Sequence, residues 1–145
     1  MQHQDDRTPD ASVAIPTRNR ADSLARTLAA LQASSIPETM HVDILVVDNG
    51  STDHTPQVVA EAAANSPIPI HYHFEPRKGI SQARNRAISV AHAPLLLFTD
   101  DDCRPADDWI AKTVSLFRTE SRLALAGGKV SLHNPNDSVL FTTFT

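Results

Sequence analysis

Short apolar runs alternate with amphipathic stretches along most of this chain. Residues 11–16 (ASVAIP) read as a buried strand ended by Pro16. In residues 21–34, Leu24, Leu28 and Leu31 recur at helical spacing with Ala between them. Residues 42–48 (VDILVVD) are a β-branched run closed by polar residues, a second strand. Residues 51–66 predict a second helix, with Thr55 as N-cap and Pro56 at the first helical position. Residues 68–74 (IPIHYHF) make a third strand, weakened by Pro69. Residues 79–93 predict a third helix with Ile80, Ala83, Ala87 and Val90 on one stripe, and residues 94–99 (PLLLFT) a fourth strand. Residues 106–118 place Trp109, Ile110, Thr113, Val114 and Phe117 on one helical face, and residues 122–132 (RLALAGGKVSL) read as a fifth strand.

Strand–helix alternation with near-continuous apolar strands predicts an α/β fold, a mostly parallel sheet with helices on both faces. The expected organisation is a disordered tail over residues 1–10, one domain over residues 11–130, and a last stretch, residues 131–145, without a clear element. In open α/β sheets ligands bind outside the carboxyl ends of the strands. The segments following the strands are PTRNR, DNGSTD, EPRKG, TDDDCRP and GGK, all polar, and the predicted fold makes them converge.

Composition narrows the classes. With 145 residues, 41% hydrophobic and 21% charged, the chain fits one domain with a real core. A net charge of -4 argues against nonspecific nucleic-acid binding, which wants clustered Lys and Arg. The lone Cys103 excludes an internal disulfide and a Cys-rich zinc site. The N-terminus is polar and acidic, without the apolar core of a signal peptide. No apolar run approaches the ~18 residues of a membrane span, so the expectation is a cytoplasmic domain.

The candidate chemistry sits at the strand ends. Asp100 and Asp102, at i and i+2 after a strand, point the same way and can share one target. A hard divalent cation, Mg2+ or Mn2+, would relieve the repulsion of the triplet Asp100–Asp101–Asp102. The competing reading is a solvated turn with acids before the next helix, where the dipole favours them. Asp48 is left unassigned by a simple Asn49-Gly50 turn; its carboxylate could accept a base N–H. Arg18, Asn19 and Arg20 precede a helix N-terminus, which suits a phosphate or nucleoside, or equally plain capping by Asn19 with solvated arginines. Arg84, Asn85 and Arg86 lie within the third helix, where a basic solvated face is the plain reading. No GxGxxG and no Walker A motif is present. His71 and His73 share a strand face, and Cys103 has no obvious base partner.

Four motifs in order, SVAIPTRNRADSLARTLAAL, VDILVVDNGSTDHT, RKGISQARNRAI and LLLFTDDDCRPADDWI, resemble the nucleotide-binding half of a family 2 glycosyltransferase with the GT-A fold. The resemblance spans about residues 12–128. It implies a Rossmann-like nucleotide-sugar-binding domain and transfer of a sugar from a nucleotide-diphosphate sugar to an acceptor hydroxyl, with inversion and a divalent metal. Pro16, Thr17 and Arg20 would line the nucleoside pocket and Asp48 would hold the base, commonly uracil. Lys78 and Asn85 fall where the family contacts the nucleotide or packs under it. Asp100 would lie near the ribose, Asp101 near the donor sugar, and Asp102 on the metal. The family's base comes later, in its acceptor half, and of the acids after Asp102 (Asp107, Asp108, Glu120, Asp137) none resembles it. Residues 131–145 would then start a truncated acceptor region. The alternative is a nucleotide-binding module that transfers nothing alone, completed by a partner chain or acting as a homo-oligomer. A UDP-sugar donor, a saccharide or lipid-linked acceptor and peripheral attachment at an inner membrane face also follow from the resemblance.

Overall fold

A computed structural model describes residues 7–131. The elements run β1 (Ala11–Thr17), α1 (Ala21–Gln32), β2 (Val42–Asp48), α2 (Thr55–Ala64), β3 (Ile70–Phe74), α3 (Ile80–Val90), β4 (Leu95–Phe98) and α4 (Trp109–Thr119). The strands form one sheet in the order β3-β2-β1-β4, and every pairing is parallel. The chain therefore winds outward from β1 to β3, then returns to place β4 on the other side of β1. That reversal puts the topological switch point between β1 and β4, where such sheets bind ligands.

Strand alternation divides the core in two. Val13, Ile15, Ile44 and Val46 face Leu24, Leu28 and Leu31 of α1, Val59 of α2, and Ile110 and Val114 of α4. Ala14 and Val47 point to the opposite face, against Ala83 and Ala87 of α3. Both faces are thus covered, as near-continuous apolar strands require. On α3 only part of the predicted stripe is buried: Ala83 and Ala87 pack against the sheet, whereas Ile80 is 53% exposed. Small side chains let α3 lie close to β1 and β2.

Several boundaries differ from the sequence reading. Pro16 lies inside β1, paired with Val47. The Ala14 carbonyl accepts from Thr99 on the β4 side, so alternation turns Pro16 that way too, past the last residue of β4. No ladder donor is required there, and proline is tolerated. The cap of α2 is His54, not Thr55. The predicted fifth strand does not form over the described part of residues 122–132. Leu125 is 86% exposed and Val130 78% exposed, so neither finds a neighbour to pack on among the described residues. Asp10, the last residue of the expected tail, is tied to the fold: its carboxylate accepts from the His41 N–H at 2.8 Å and from Arg118 at 2.8 Å. The stretch 131–145 lies outside the described residues except for Ser131.

Candidate functional site

The loops after β1 and β4 meet at the switch point. Asp101, the middle acid, is turned inward and is 7% exposed. Its carboxylate accepts the Thr17 hydroxyl at 2.8 Å and lies 3.5 Å from Arg20. The Thr27 hydroxyl of α1 lies 3.0 Å from the Asp101 carbonyl and 2.7 Å from that of Cys103. Burial raises the Asp101 carboxyl above its ordinary range, opposed by the Thr17 bond and the Arg20 charge. A buried carboxylate needs such partners to stay ionised.

Asp100 and Asp102 are exposed instead. Asp101 faces the protein and its neighbours are exposed, though not by strand alternation: β4 ends at Phe98 and the triplet lies in a turn whose Cys103 N–H donates to the Asp100 carbonyl at 3.3 Å. Oxygens of Asp100 and Asp102 and the Cys103 sulfur all lie within 4.8 Å of one another. The two carboxylates fit a hard divalent cation, while the thiol contributes little to one; burial raises the Cys103 thiol further and keeps it protonated. Arg20 donates to Asp102 at 2.8 Å. Both side chains are more than half exposed, at 55% and 54%, and an exposed pair of this kind is worth at most ~1 kcal/mol. Arg20 balances the triplet but presents no serious barrier to a divalent ion.

Asp48 ends β2 and is 1% exposed. One carboxylate oxygen accepts the Ser51 N–H at 2.8 Å, and the other accepts the Tyr72 hydroxyl of β3 at 2.7 Å. Burial, reinforced by the bond to Asp48 and its charge, pushes the Tyr72 phenol up to about 12, so it remains a donor. Each Asp48 oxygen keeps a further lone pair. Tyr72 escaped the sequence reading because its approach to Asp48 depends on the β2–β3 register, which pairs Val46 with Tyr72.

The loops are also stitched to each other. Asn19, at φ 52, accepts the Thr52 N–H at 2.6 Å and donates its own N–H to Ser51 at 2.9 Å. It does not cap α1. That part falls to Asp53, which accepts the Ala21 N–H of α1 at 3.0 Å and the Thr55 N–H of α2 at 3.1 Å. Asn49, 5% exposed, reaches the loop after β3. There, Glu75 accepts from Arg77 at 2.9 Å, which holds its carboxyl below the usual range. Lys78 follows in the same loop, exposed, and its side chain has no partner among the described residues. Pro16, Thr17, Arg20, Asp48, Asp100, Asp101 and Asp102 thus gather at one sheet edge. Asn85 stands on the exposed side of α3 in its second turn, without a side-chain partner among the described residues.

The chain matches the family model described as Glycosyl transferase family 2 over residues 12–138. It is 33% identical over 129 residues to glycosyltransferase AglE of Haloferax volcanii, covering 88% of this chain and 41% of AglE. It is 40% identical over 94 residues to the validoxylamine A glucosyltransferase of Streptomyces hygroscopicus, covering 63% of this chain and 22% of that protein. Among solved structures, the mannosyltransferase PcManGT from Pyrobaculum calidifontis, in complex with GDP-Man and Mn2+, superposes with a TM-score of 0.68 at 30% identity, over 77% of this chain and 33% of that one. TarS of S. aureus, 24% identical with a TM-score of 0.69, shares the fold over 77% of this chain. This chain therefore spans about two fifths or less of the length of these relatives. With its GT-A fold and its polar strand-end edge, it belongs to glycosyl transferase family 2.

Proposed function

We propose that this edge binds the nucleotide-diphosphate sugar donor of an inverting family 2 glycosyl transfer, with Mg2+ or Mn2+. The observation that carries the reading is the outward pair Asp100 and Asp102 at the switch point, facing a shared target beside Arg20. Asp48 offers its free lone pairs to a base N–H. Uracil supplies such a donor, and so does guanine. Pro16, Thr17 and Arg20 form the nucleoside side, with Asp100 toward the ribose. Lys78 and Asn85 stand on the nucleotide side. Asp102, with Asp100 beside it, holds the cation. When bound there, a divalent ion neutralises the charge that develops on the leaving diphosphate. Asp101 is buried, so it acts toward the donor sugar by fixing Arg20 and Thr17 rather than by open contact. Attack on the anomeric carbon wants a base within hydrogen-bond reach of the acceptor hydroxyl, and we assign none of the described residues to that part.

Calorimetry with UDP and with GDP, each with and without Mn2+, tests the reading. Binding strengthened by Mn2+ is expected for at least one nucleotide, and heat from neither would sink it. Asp102→Asn should remove the Mn2+ dependence while leaving the fold intact, because Asp102 is exposed and its one ion pair is weak. Robust sugar transfer by the isolated chain would reject the alternative of a pure donor-binding module.

A further inference from the structure

Asn49 uses its whole side-chain amide in one place. Its Nδ2 donates to the carbonyls of Glu75 at 3.0 Å and Arg77 at 2.7 Å, and its Oδ1 accepts the Gly79 N–H at 2.8 Å. The last two partners bracket Lys78: one is the carbonyl just before it, the other the N–H just after it. A side chain from the β2 loop thus closes the backbone around Lys78 as a turn hydrogen bond would. The root of the same loop is tied to β2 by Glu75, whose N–H donates to the Asp48 carbonyl at 2.9 Å. Gly79 continues the constraint at φ 130, a conformation side-chain-bearing residues rarely adopt. Yet the Lys78 ammonium has no partner among the described residues and is exposed. The backbone is pinned on both sides while the cation is left available.

We propose that Asn49 is a positioning residue that presents the Lys78 ammonium to the nucleotide of the donor. This rests on the nucleotide-binding reading above and adds to it a named support for one cation. The chemistry demands an amide. Two carbonyls need donors and one N–H needs an acceptor, and among side chains of this size only Asn supplies both. Aspartate has the same shape but sets an oxygen against the two carbonyls, so Asn49→Asp tests the bonds rather than the packing.

The test is a double-mutant cycle on nucleotide binding, with Asn49→Asp, Lys78→Met and the pair, measured by calorimetry with UDP and GDP in the presence of Mn2+. Each single variant should weaken binding about tenfold, and the pair should be no weaker than Lys78→Met alone to within about twofold, since the two act as one unit. Thermal melts supply the structural control: the loss of stability from Asn49→Asp should persist in the Lys78→Met background although its effect on affinity vanishes. If Asn49→Asp fails to fold, Asn49→Ser takes its place in the same cycle. Additive losses, or a wild-type affinity in either single variant, overturn the proposal while leaving the nucleotide reading standing. A wild-type chain that binds neither nucleotide overturns both.

Discussion

Asp53 accepts the first backbone N–H of α1 and of α2 from one carboxylate, at 3.0 and 3.1 Å, and also takes the Thr55 hydroxyl at 2.6 Å. Helix starts leave such donors unsatisfied, and an acceptor there is worth ~0.5–2 kcal/mol. Serving two helices, Asp53→Ala should cost on the order of 2 kcal/mol by that measure, read by urea denaturation. The Thr55 hydroxyl first, then the two N–H groups, hold the Asp53 carboxyl below its ordinary range. Its folded value lies below its unfolded one, so its contribution is present above the unfolded carboxylate range, around pH 3.9, and is lost as pH falls through the folded value. Asp53→Asn should lower stability at pH 7 and flatten its loss in acid. Identical acid transitions for the variant and the wild type would show that the carboxylate carries none of this stability.

At the scale of elements, the strands were legible because each buried run is apolar and ends in polar residues. Their order was not, because register lives in pairings between distant segments. The apolar look of residues 122–132 misled for the same reason: a strand forms only where a neighbour completes its ladder, and Leu125 and Val130 find none among the described residues. The site divides likewise. Charged strand-end residues such as Asp48 and Asp100–Asp102 had no sufficient local explanation, so they stood out. Asn49 was fully explained as half of a turn dipeptide, and Asp53 and Thr27 stand in ordinary loop and helix segments, so nothing local announced their contacts with other loops. The α3 stripe carries a prediction of its own. Ala83 and Ala87 are 1% and 0% exposed against Ala14 and Val47, so Ala83→Leu should overpack this face and cost ~1–3 kcal/mol. Ile88, 59% exposed on the same helix, should accept Ser within ~0.5 kcal/mol. Equal effects at the two positions in chemical denaturation would mean that α3 does not pack as closely as its alanines indicate.

Across the whole molecule, the winding that places β4 beside β1 brings loops from all four strands into one connected polar layer. Asn19 joins the β1 and β2 loops, Asn49 joins the β2 and β3 loops, and Thr17 and Arg20 join β1 to the acids after β4. Under the proposed function, a donor reaching from Asp48 to Asp102 would run along this layer from the β2 loop to the acids after β4. Anything that binds only the folded chain stabilises it by mass action, ~2.7 kcal/mol at one hundred times Kd. For a domain of this size that is on the order of 10 °C in Tm. Under the proposed function, saturating UDP or GDP with Mn2+ should raise Tm by that amount, and the nucleotide alone by less. Asp102→Asn should keep the nucleotide-only shift and lose the increment due to Mn2+. A Mn2+ increment that survives in Asp102→Asn would place the cation elsewhere on the chain, because Asp102 is the exposed carboxylate that Arg20 holds at the switch point.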